Sequence, residues 1–124
     1  MREENEKKQL LTYLIVRQWL WSTKIFGPGL RTTENKDHVL KELKEIEENP
    51  FDLEERVDLL LLALDGVVRL GRELGLTPTQ IRYAIWDKIE KNERRKWPAL
   101  SDQVPGQAVL HIKEDGDASA ESTG

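Results

Sequence analysis

The chain has 124 residues, which suits one domain and is too short for two ordinary ones. Its 23 acidic and 19 basic residues give a net charge of −4, whereas general nucleic-acid binders are usually basic. The sequence has no cysteine, which excludes disulfides, thiolate zinc sites and cysteine nucleophiles. The composition therefore disfavours a nucleic-acid partner, and any metal site must be built without cysteine.

The sequence has no pattern typical of secretion or membrane insertion. The charged segment from Met1 to Lys8 is unlike a signal peptide, and no small-residue cleavage site follows it. The longest apolar stretch, Val57 to Val68, contains two aspartates and is shorter than the roughly 20 residues of a membrane span. We therefore expect a soluble, cytoplasmic protein with no membrane partner.

Four segments have helical periodicity. The first covers about Lys7 to Trp21 and ends before the loop Phe26-Gly-Pro-Gly-Leu-Arg31, whose glycines and proline break a helix. The second begins near Thr33, a suitable N-cap, and continues to Asn49-Pro50.

The third and fourth segments have clear start and stop signals. The third opens with Asp52 and Glu55 at capping-box spacing and continues to about Leu74, before Gly75. The fourth has Thr77 as its N-cap, followed by Pro78 and Gln80 at favoured positions, and continues to Trp97, before Pro98. Since the linkers are short, we predict an all-α, four-helix bundle of antiparallel neighbours.

The last quarter of the chain differs from the rest. Ala108 to Ile112 has the alternation of a short strand, which could pair with another chain or fray. The segment from Glu114 to Gly124 has the composition of a disordered tail. We therefore predict a helical domain at residues 1–98 and a partly disordered, irregular or strand-like tail at 99–124.

Acidic residues occur in unexpected places on the second and third helices. Asp58 and Asp65 share one stripe with Glu55, in a helix that is apolar on nearly every side and is therefore predicted to be buried all round. A buried carboxylate must be paired with a cation, protonated or bound to metal. The second helix carries Glu42 and Glu45 at i, i+3 spacing. If the two helices are antiparallel, these acidic groups converge.

Converging carboxylates repel one another unless cations lie between them, and oxygen ligands alone suit Mg²⁺ or Mn²⁺. Two such ions about 3.5–4 Å apart can activate water against a phosphorus centre. Other interpretations stay open. Glu42 and Glu45 could lie on a solvated face, Glu55 could be a capping residue, and Asp58 could pair with an arginine of a partner chain.

Several motifs together resemble one family. Glu42-Leu-Lys-Glu45 followed by Glu55-Arg-Val-Asp58 resembles the ExxE…ExxD pattern of the all-α, MazG-like nucleoside triphosphate pyrophosphohydrolases. Further blocks resemble its dATP/dGTP diphosphohydrolase branch, which includes small MazZ-like phage enzymes: Gly27-Pro-Gly-Leu-Arg31, Asp37-His38, Leu62-Ala-Leu-Asp-Gly66 and Lys88…Asn92…Arg95-Lys-Trp97-Pro98. The resemblance covers about Trp19 to Pro98. The spacer between Glu45 and Glu55 is shorter than in many MazG proteins, which predicts a tight helix–helix turn.

The resemblance implies hydrolysis of (d)NTPs, above all dGTP and dATP, between the α and β phosphates to give a monophosphate and pyrophosphate. The implied ligands of two or three Mg²⁺ or Mn²⁺ ions are Glu42, Glu45, Glu55 and Asp58, with Glu45 also orienting the attacking water. For a phage enzyme in the host cytoplasm, the implied role is to remove dATP and supply dGMP for 2-aminoadenine DNA.

Cationic and aromatic side chains are candidates for substrate contacts. Lys88, Asn92 and Arg95 share one face of the fourth helix and suit the leaving pyrophosphate, although a basic last turn also suits the helix dipole. Arg31 is a further phosphate candidate. The candidates for stacking on the base are the aromatic residues of the first helix and its loop, which could equally belong to the core or an interface: Trp19, Trp21 and Phe26.

Asp65 and His38 have less defined roles. Asp65 could support the metal ligands, bind an extra ion or pair with an arginine of another subunit, and His38 is expected to be a structural group or a neighbour of the ligands. The surplus of apolar surface predicts a homo-oligomer, at least a dimer and, by resemblance, a tetramer.

Two other functions compete with the hydrolase. The chain could be a non-enzymatic, oligomeric helical interaction module with buried acid–base pairs. It could also bind nucleic acid through the basic run from Lys91 to Lys96, although its net charge disfavours this. Metal-dependent release of pyrophosphate from dGTP would distinguish the enzyme from both.

Overall fold

The computed structural model of the chain describes residues 2–113, and the predicted disordered segment Glu114 to Gly124 lies outside them. They form four α-helices and one short 3₁₀ helix: α1 Arg2–Phe26, α2 Thr32–Glu48, α3 Leu53–Glu73, α4 Pro78–Arg94 and the 3₁₀ helix Leu100–Asp102. Residues 2–113 contain no β-strand, so the predicted all-α, four-helix class is confirmed. The chain divides into two compact units, Met1–Ile85 and Trp86–Gly124.

Local signals account for three of the helix ends. The Asp52 carboxylate caps α3 by accepting a hydrogen bond from the Glu54 amide at 3.0 Å. Thr77 and Gln80 form the predicted reciprocal capping box at the start of α4, with hydrogen bonds of 2.9 and 3.2 Å. At the end of α3, Gly75 has a φ of 78°, a left-handed conformation that glycine adopts readily.

The other helix bounds depart from the predictions. Helix α1 begins five residues earlier than predicted, where exposed i, i+4 ion pairs such as Arg2–Glu6 flank its first turns, and it extends to Phe26. The predicted N-cap Thr33 is wrong, because Arg31 occupies the N-cap position in a left-handed conformation. Helix α4 ends at Arg94 rather than Trp97, and the Trp97 indole donates a hydrogen bond to the Asn92 carbonyl at 2.7 Å.

The core of the first unit joins three helices. Ile15 of α1, Val68 of α3 and Ile81 of α4 are each 1% exposed, and partly buried apolar residues pack around them: Leu11, Trp19, Leu64, Leu76 and Ile85. Gly71 lies so close to Ile81 that a Cβ atom there would be 2.7 Å from two side-chain carbons. The end of α3 and the start of α4 therefore approach one another across a residue without a side chain.

Helix α3 packs against both α1 and α2, but it is not buried on every side. Leu60 is 64% exposed and Val67 is 45% exposed, and Asp58 is also exposed. The prediction of a helix buried all round is therefore wrong for the single chain, because its neighbours cover only part of its circumference. The predicted homo-oligomer depends on this open apolar surface.

The second unit contains the end of α4 and the segment that follows it. The amide of Ile112 donates a hydrogen bond to the Lys96 carbonyl at 2.7 Å, and the His111 ring meets Trp97 edge-on at 5.8 Å. Of the two forms predicted for the tail, irregular or strand-like, residues 108–112 have the irregular one, and the segment returns to its own chain without forming a ladder. Among residues 2–113, no helix combines the length and hydrophobicity needed to span a bilayer.

Candidate metal centre and nucleotide cavity

A tight turn brings the acidic residues of α2 and α3 together. The four residues between Glu48 and Leu53 connect the two helices, and hydrogen bonds of 2.9 Å from Asn49 to the Glu45 carbonyl and 3.1 Å from Asp52 to the Asn49 carbonyl close the turn. Packed helices joined by so short a turn run antiparallel. The hairpin thus places the i, i+3 pair of α2 opposite the first turn of α3.

Three carboxylates meet in this hairpin. One oxygen from each of Glu42, Glu45 and Glu55 lies within 4.8 Å of the other two, and all three residues are half-buried. Hydrogen bonding to Glu45 and then to Glu42 raises the pKa of Glu55 from 4.5 to about 7, with burial and repulsion between the carboxylates adding to the shift. Without a cation, the group therefore favours keeping a proton on Glu55.

The carboxylate cluster of Glu42, Glu45 and Glu55 contains oxygens without partners. Glu42 Oε2 and Glu55 Oε2 are both buried, and when all three carboxylates are ionised no hydrogen-bond donor among residues 2–113 reaches either oxygen. Buried polar atoms normally have partners, and a set made only of carboxylate oxygens suits a hard divalent cation. These residues therefore fit a metal ion, and the predicted convergence of the acidic pairs is confirmed for three of the four carboxylates.

Asp58 lies outside the carboxylate cluster. It is exposed and lines a neighbouring cavity that Glu42 also lines. No cation among residues 2–113 lies within ion-pair distance of Asp58, so its partner is not an arginine of the described chain. Its assignment as the fourth metal ligand stays a prediction.

The cavity has a volume of about 610 Å³, within the usual range for small-molecule sites, and its walls come from α1, α2, α3 and the loop between α1 and α2. Its aromatic and basic lining is clustered. The Phe26 ring meets Trp21 edge-on at 5.7 Å and His38 at 6.3 Å, and the Arg31 guanidinium lies 5.1 Å from the Phe26 ring centre. Lys41, which the sequence did not single out, lies on the same lining.

Of the three aromatic candidates for the base, two line the cavity. Trp21 and Phe26 belong to its walls, whereas Trp19 packs against the core with the Arg72 guanidinium 5.6 Å from its ring centre. Residues 19 and 21 point in different directions because two steps along a helix rotate a side chain by about 200°. Trp19, which was predicted to contact the base, therefore does not line this cavity.

Asp65 is paired within its own helix. Its Oδ2 accepts a hydrogen bond from Arg69 Nε at 2.8 Å, and its Oδ1 lies 3.5 Å from Gln18 Nε2. Of the partners considered for Asp65, an arginine is present, but it comes from the same chain rather than from another subunit. Sequence reasoning missed Arg69, although its i, i+4 spacing from Asp65 inside an apolar helix was a signal.

The three residues predicted to bind pyrophosphate, Lys88, Asn92 and Arg95, lie in the second unit. Arg95 Nη1 donates a hydrogen bond to Asn92 Oδ1 at 3.1 Å, and Lys88 is exposed. The Asn92 carbonyl also accepts the hydrogen bond from Trp97. Asn92 and Arg95 thus contact one another, and the roles of all three residues toward pyrophosphate stay predictions.

Comparison with known proteins identifies the family. Neither a search of the curated proteins nor a search of the solved structures found a match. The family model for dATP/dGTP pyrophosphohydrolase matches residues 14–118, which extends beyond the segment that carries the sequence motifs at both ends. With a half-buried carboxylate cluster beside a cavity of suitable size and a family match over most of its length, the chain belongs to the dATP/dGTP pyrophosphohydrolases and is an enzyme of that class.

Proposed function

We propose that the chain hydrolyses dGTP and dATP between the α and β phosphates, giving dGMP or dAMP and pyrophosphate, with Mg²⁺ or Mn²⁺ as cofactor. The observation that carries this proposal is the pair of buried, unpartnered oxygens on Glu42 and Glu55, in a cluster of three carboxylates beside the cavity. Family membership supports the reaction class.

Glu42, Glu45 and Glu55 are the proposed metal ligands, and Asp58 would join them from the cavity wall. Bound divalent ions lower the pKa of water and neutralise the negative charge that develops on phosphate oxygens. The cavity needs this additional positive charge because carboxylates outnumber cations on its lining. A triphosphate is itself strongly anionic, so this chain without cations would repel its substrate.

The other residues of the cavity would bind and orient the nucleotide. Glu45 would accept a hydrogen bond from the attacking water and orient it. Arg31 and Lys41 are the cations of the lining and suit phosphate oxygens, the first through its planar fork and the second as a point charge. Trp21 and Phe26 offer aromatic faces to a purine base, in place of Trp19.

Product analysis tests the reaction. The purified chain, incubated with dGTP and Mg²⁺ or Mn²⁺, should release pyrophosphate and dGMP, and in ¹⁸O-labelled water the label should appear in dGMP because water attacks the α-phosphorus. Label in pyrophosphate would place the attack on the β-phosphorus, and orthophosphate as the only product would move the cleaved bond. Inertness toward every dNTP with both metals would leave the non-enzymatic interaction module as the better explanation.

The finer biological role follows from substrate preference. A MazZ-like enzyme that removes dATP and supplies dGMP for 2-aminoadenine phage DNA should cleave both purine nucleotides in preference to dCTP and dTTP. Equal rates with all four substrates would remove the support for that role. The homo-oligomer belongs to the same proposal, and light scattering of the purified chain would measure its size.

Substitution of Asp58 tests the fourth ligand. A concentration of Mg²⁺ or Mn²⁺ about a hundred times its Kd should raise the free energy of unfolding of the wild-type protein by about 2.7 kcal/mol. The Asp58→Asn variant should lose most of this stabilisation. The melting temperature in EDTA should stay unchanged or rise, since Asp58 is exposed and pairs with no described cation. The matched control is Glu47→Gln on the exposed part of α2. Unfolding of metal-free Asp58→Asn would instead identify a structural ion pair.

A further inference from the structure

Arg69 is the most completely bonded side chain in the first unit. It is 1% exposed, and each of the five N–H bonds of its guanidinium has an acceptor. Besides Asp65, the acceptors are the Gly27 carbonyl at 2.9 Å, the Gly29 carbonyl at 2.8 Å, and the Ser22 carbonyl and hydroxyl at 3.3 and 2.7 Å. One side chain of α3 therefore holds the end of α1 and the following loop.

The loop that Arg69 holds is the one that carries cavity residues. Gly27 and Gly29 have φ angles of 84° and 95°, and Arg31 has a φ of 52°, which is uncommon for a residue with a side chain. Backbone hydrogen bonds secure the loop at its two ends, from Gly27 to the Thr23 carbonyl and from Asn35 to the Arg31 carbonyl. Between these ends, the contacts to Arg69 hold the glycine carbonyls against α3.

We propose that Arg69 is a positioning residue for nucleotide binding: by fixing the Gly27–Gly29 loop on α3, it holds Arg31 and Phe26 in the cavity. This inference rests on the proposed function and adds a determinant of affinity to it. Arg31 lies two residues after Gly29, and Phe26 lies one residue before Gly27, so movement of the held carbonyls would displace both. Their mutual contact at 5.1 Å depends on the same loop conformation.

Asp65 completes the arrangement by compensating the buried guanidinium. Burying a cation costs free energy unless the cation is paired and hydrogen-bonded. Asp65 Oδ2 both pairs with the Arg69 guanidinium and accepts a hydrogen bond from its Nε at 2.8 Å. Since one oxygen of Asp65 is held by Arg69 and the other lies near Gln18, the carboxylate serves the loop rather than an additional metal ion. Lysine could not replace arginine here, because its single ammonium cannot reach the acceptors of three segments with a planar fork.

The first test is Arg69→Lys, which keeps the charge and loses the fork. If the ordered loop is populated about one tenth of the time in this variant, the KM for dGTP rises about tenfold, while kcat changes by less than about threefold. The affinity for Mn²⁺ without nucleotide, measured by electron paramagnetic resonance, should stay unchanged because the carboxylate cluster lies on the α2–α3 hairpin. A weakened affinity for Mn²⁺ would overturn the inference.

Arg82→Lys is the matched control. Arg82 also bridges two helices, donating to the Lys8 carbonyl at 3.0 Å and to Thr12 Oγ1 at 2.9 Å, but it does not line the cavity. This variant should keep the wild-type KM. An equal rise in KM for Arg82→Lys would show that general loosening of the helices, rather than the loop, controls affinity.

A double-mutant cycle separates positioning from a structural role. If Arg69 acts through the loop that presents Arg31 and Phe26, then Arg69→Lys should raise KM by clearly less than about tenfold in an Arg31→Ala background, because only its effect on Phe26 remains there. Equal effects in both backgrounds would overturn the inference. Absence of dGTP hydrolysis by the wild-type protein would instead contradict the proposed function, so the two failures are distinguishable.

Ser22→Ala covers the case in which Arg69→Lys does not fold. It removes the 2.7 Å acceptor and leaves the backbone acceptors in place. Hydrogen exchange should become faster in the peptide from residue 22 to residue 35 and stay unchanged in the α2–α3 turn, and this measurement needs no nucleotide. Unchanged exchange in that peptide would overturn the inference.

Discussion

The carboxylate cluster and the surroundings of Arg69 are two polar centres in one helical unit, and they are built in opposite ways. At Arg69, every donor has an acceptor and the charge is matched by Asp65. In the cluster, three carboxyl groups lie within 4.8 Å of one another, and two of their buried oxygens have no donor when the groups are ionised. The first centre is complete in this chain, whereas the second is completed by something that the chain does not supply.

This difference distinguishes polar residues that stabilise the fold from polar residues that are available to bind a ligand. A buried network in which all hydrogen bonds are made stabilises one conformation, whereas unpartnered buried groups persist only where the surrounding structure holds them. Here the α2–α3 hairpin holds the unfavourable cluster, and Arg69 holds the neighbouring loop. Substitutions in the carboxylate cluster should therefore lower activity without lowering metal-free stability, whereas substitutions at the Arg69 centre should lower stability.

The largest expected effect is on activity, at the carboxylate cluster. Glu55→Gln keeps the size of the side chain and can still donate hydrogen bonds to Glu45 and Glu42, but it removes a negative ligand. We expect hydrolysis of dGTP to fall by about a thousandfold and the metal-free protein to become more stable at alkaline pH. Steady-state kinetics and thermal melting in EDTA measure these two effects. Retention of wild-type kcat would exclude Glu55 from the metal ligands.

The next effect is on stability, at the complete centre. Asp65→Ala leaves the Arg69 guanidinium buried without its counter-charge, and breaking such a pair costs about 3–5 kcal/mol. Urea unfolding at neutral pH measures the loss, with the exposed Asp87→Ala as the control. The isosteric Asp65→Asn should cost less because its carbonyl oxygen can still accept a hydrogen bond from Arg69. A loss below about 1 kcal/mol for Asp65→Ala would contradict the contrast between the two centres.

The smallest effect is the dependence of metal-free stability on pH. Because the pKa of Glu55 is raised to about 7 in the folded chain, the folded state binds this proton more tightly than the unfolded state does. Its contribution is complete below the usual pKa of 4.5 and is lost as the pH rises through about 7. Melting temperatures in EDTA should therefore fall more steeply with pH for wild type than for Glu55→Gln. Parallel curves for the two proteins would contradict the raised pKa of Glu55.

The sequence predicted those features that local chemistry determines. The capping residues Asp52 and Thr77 and the terminating Gly75 act within a few residues of their own positions, so their helix ends were correct. Glu42, Glu45 and Glu55 could also be grouped in advance, because i, i+3 spacing and a short hairpin leave few other arrangements.

The remaining features depend on tertiary contacts that leave little trace in the sequence. Thr33 was a reasonable N-cap, but the loop held by Arg69 places Arg31 there instead. Most acceptors of Arg69 are backbone carbonyls, which any residue type supplies. The choice between Trp19 and Trp21 likewise required knowledge of which side of α1 faces the core.

Gly71 has a consequence for how the protein tolerates change. Its carbonyl accepts the amide of Leu76 at 2.9 Å, and its missing side chain makes room for Ile81. One position thus sets both where α3 stops and how near the next helix can come. A larger residue there would force the buried Ile81 side chain to move, so the packing between these two helices depends on the side chain that position 71 lacks.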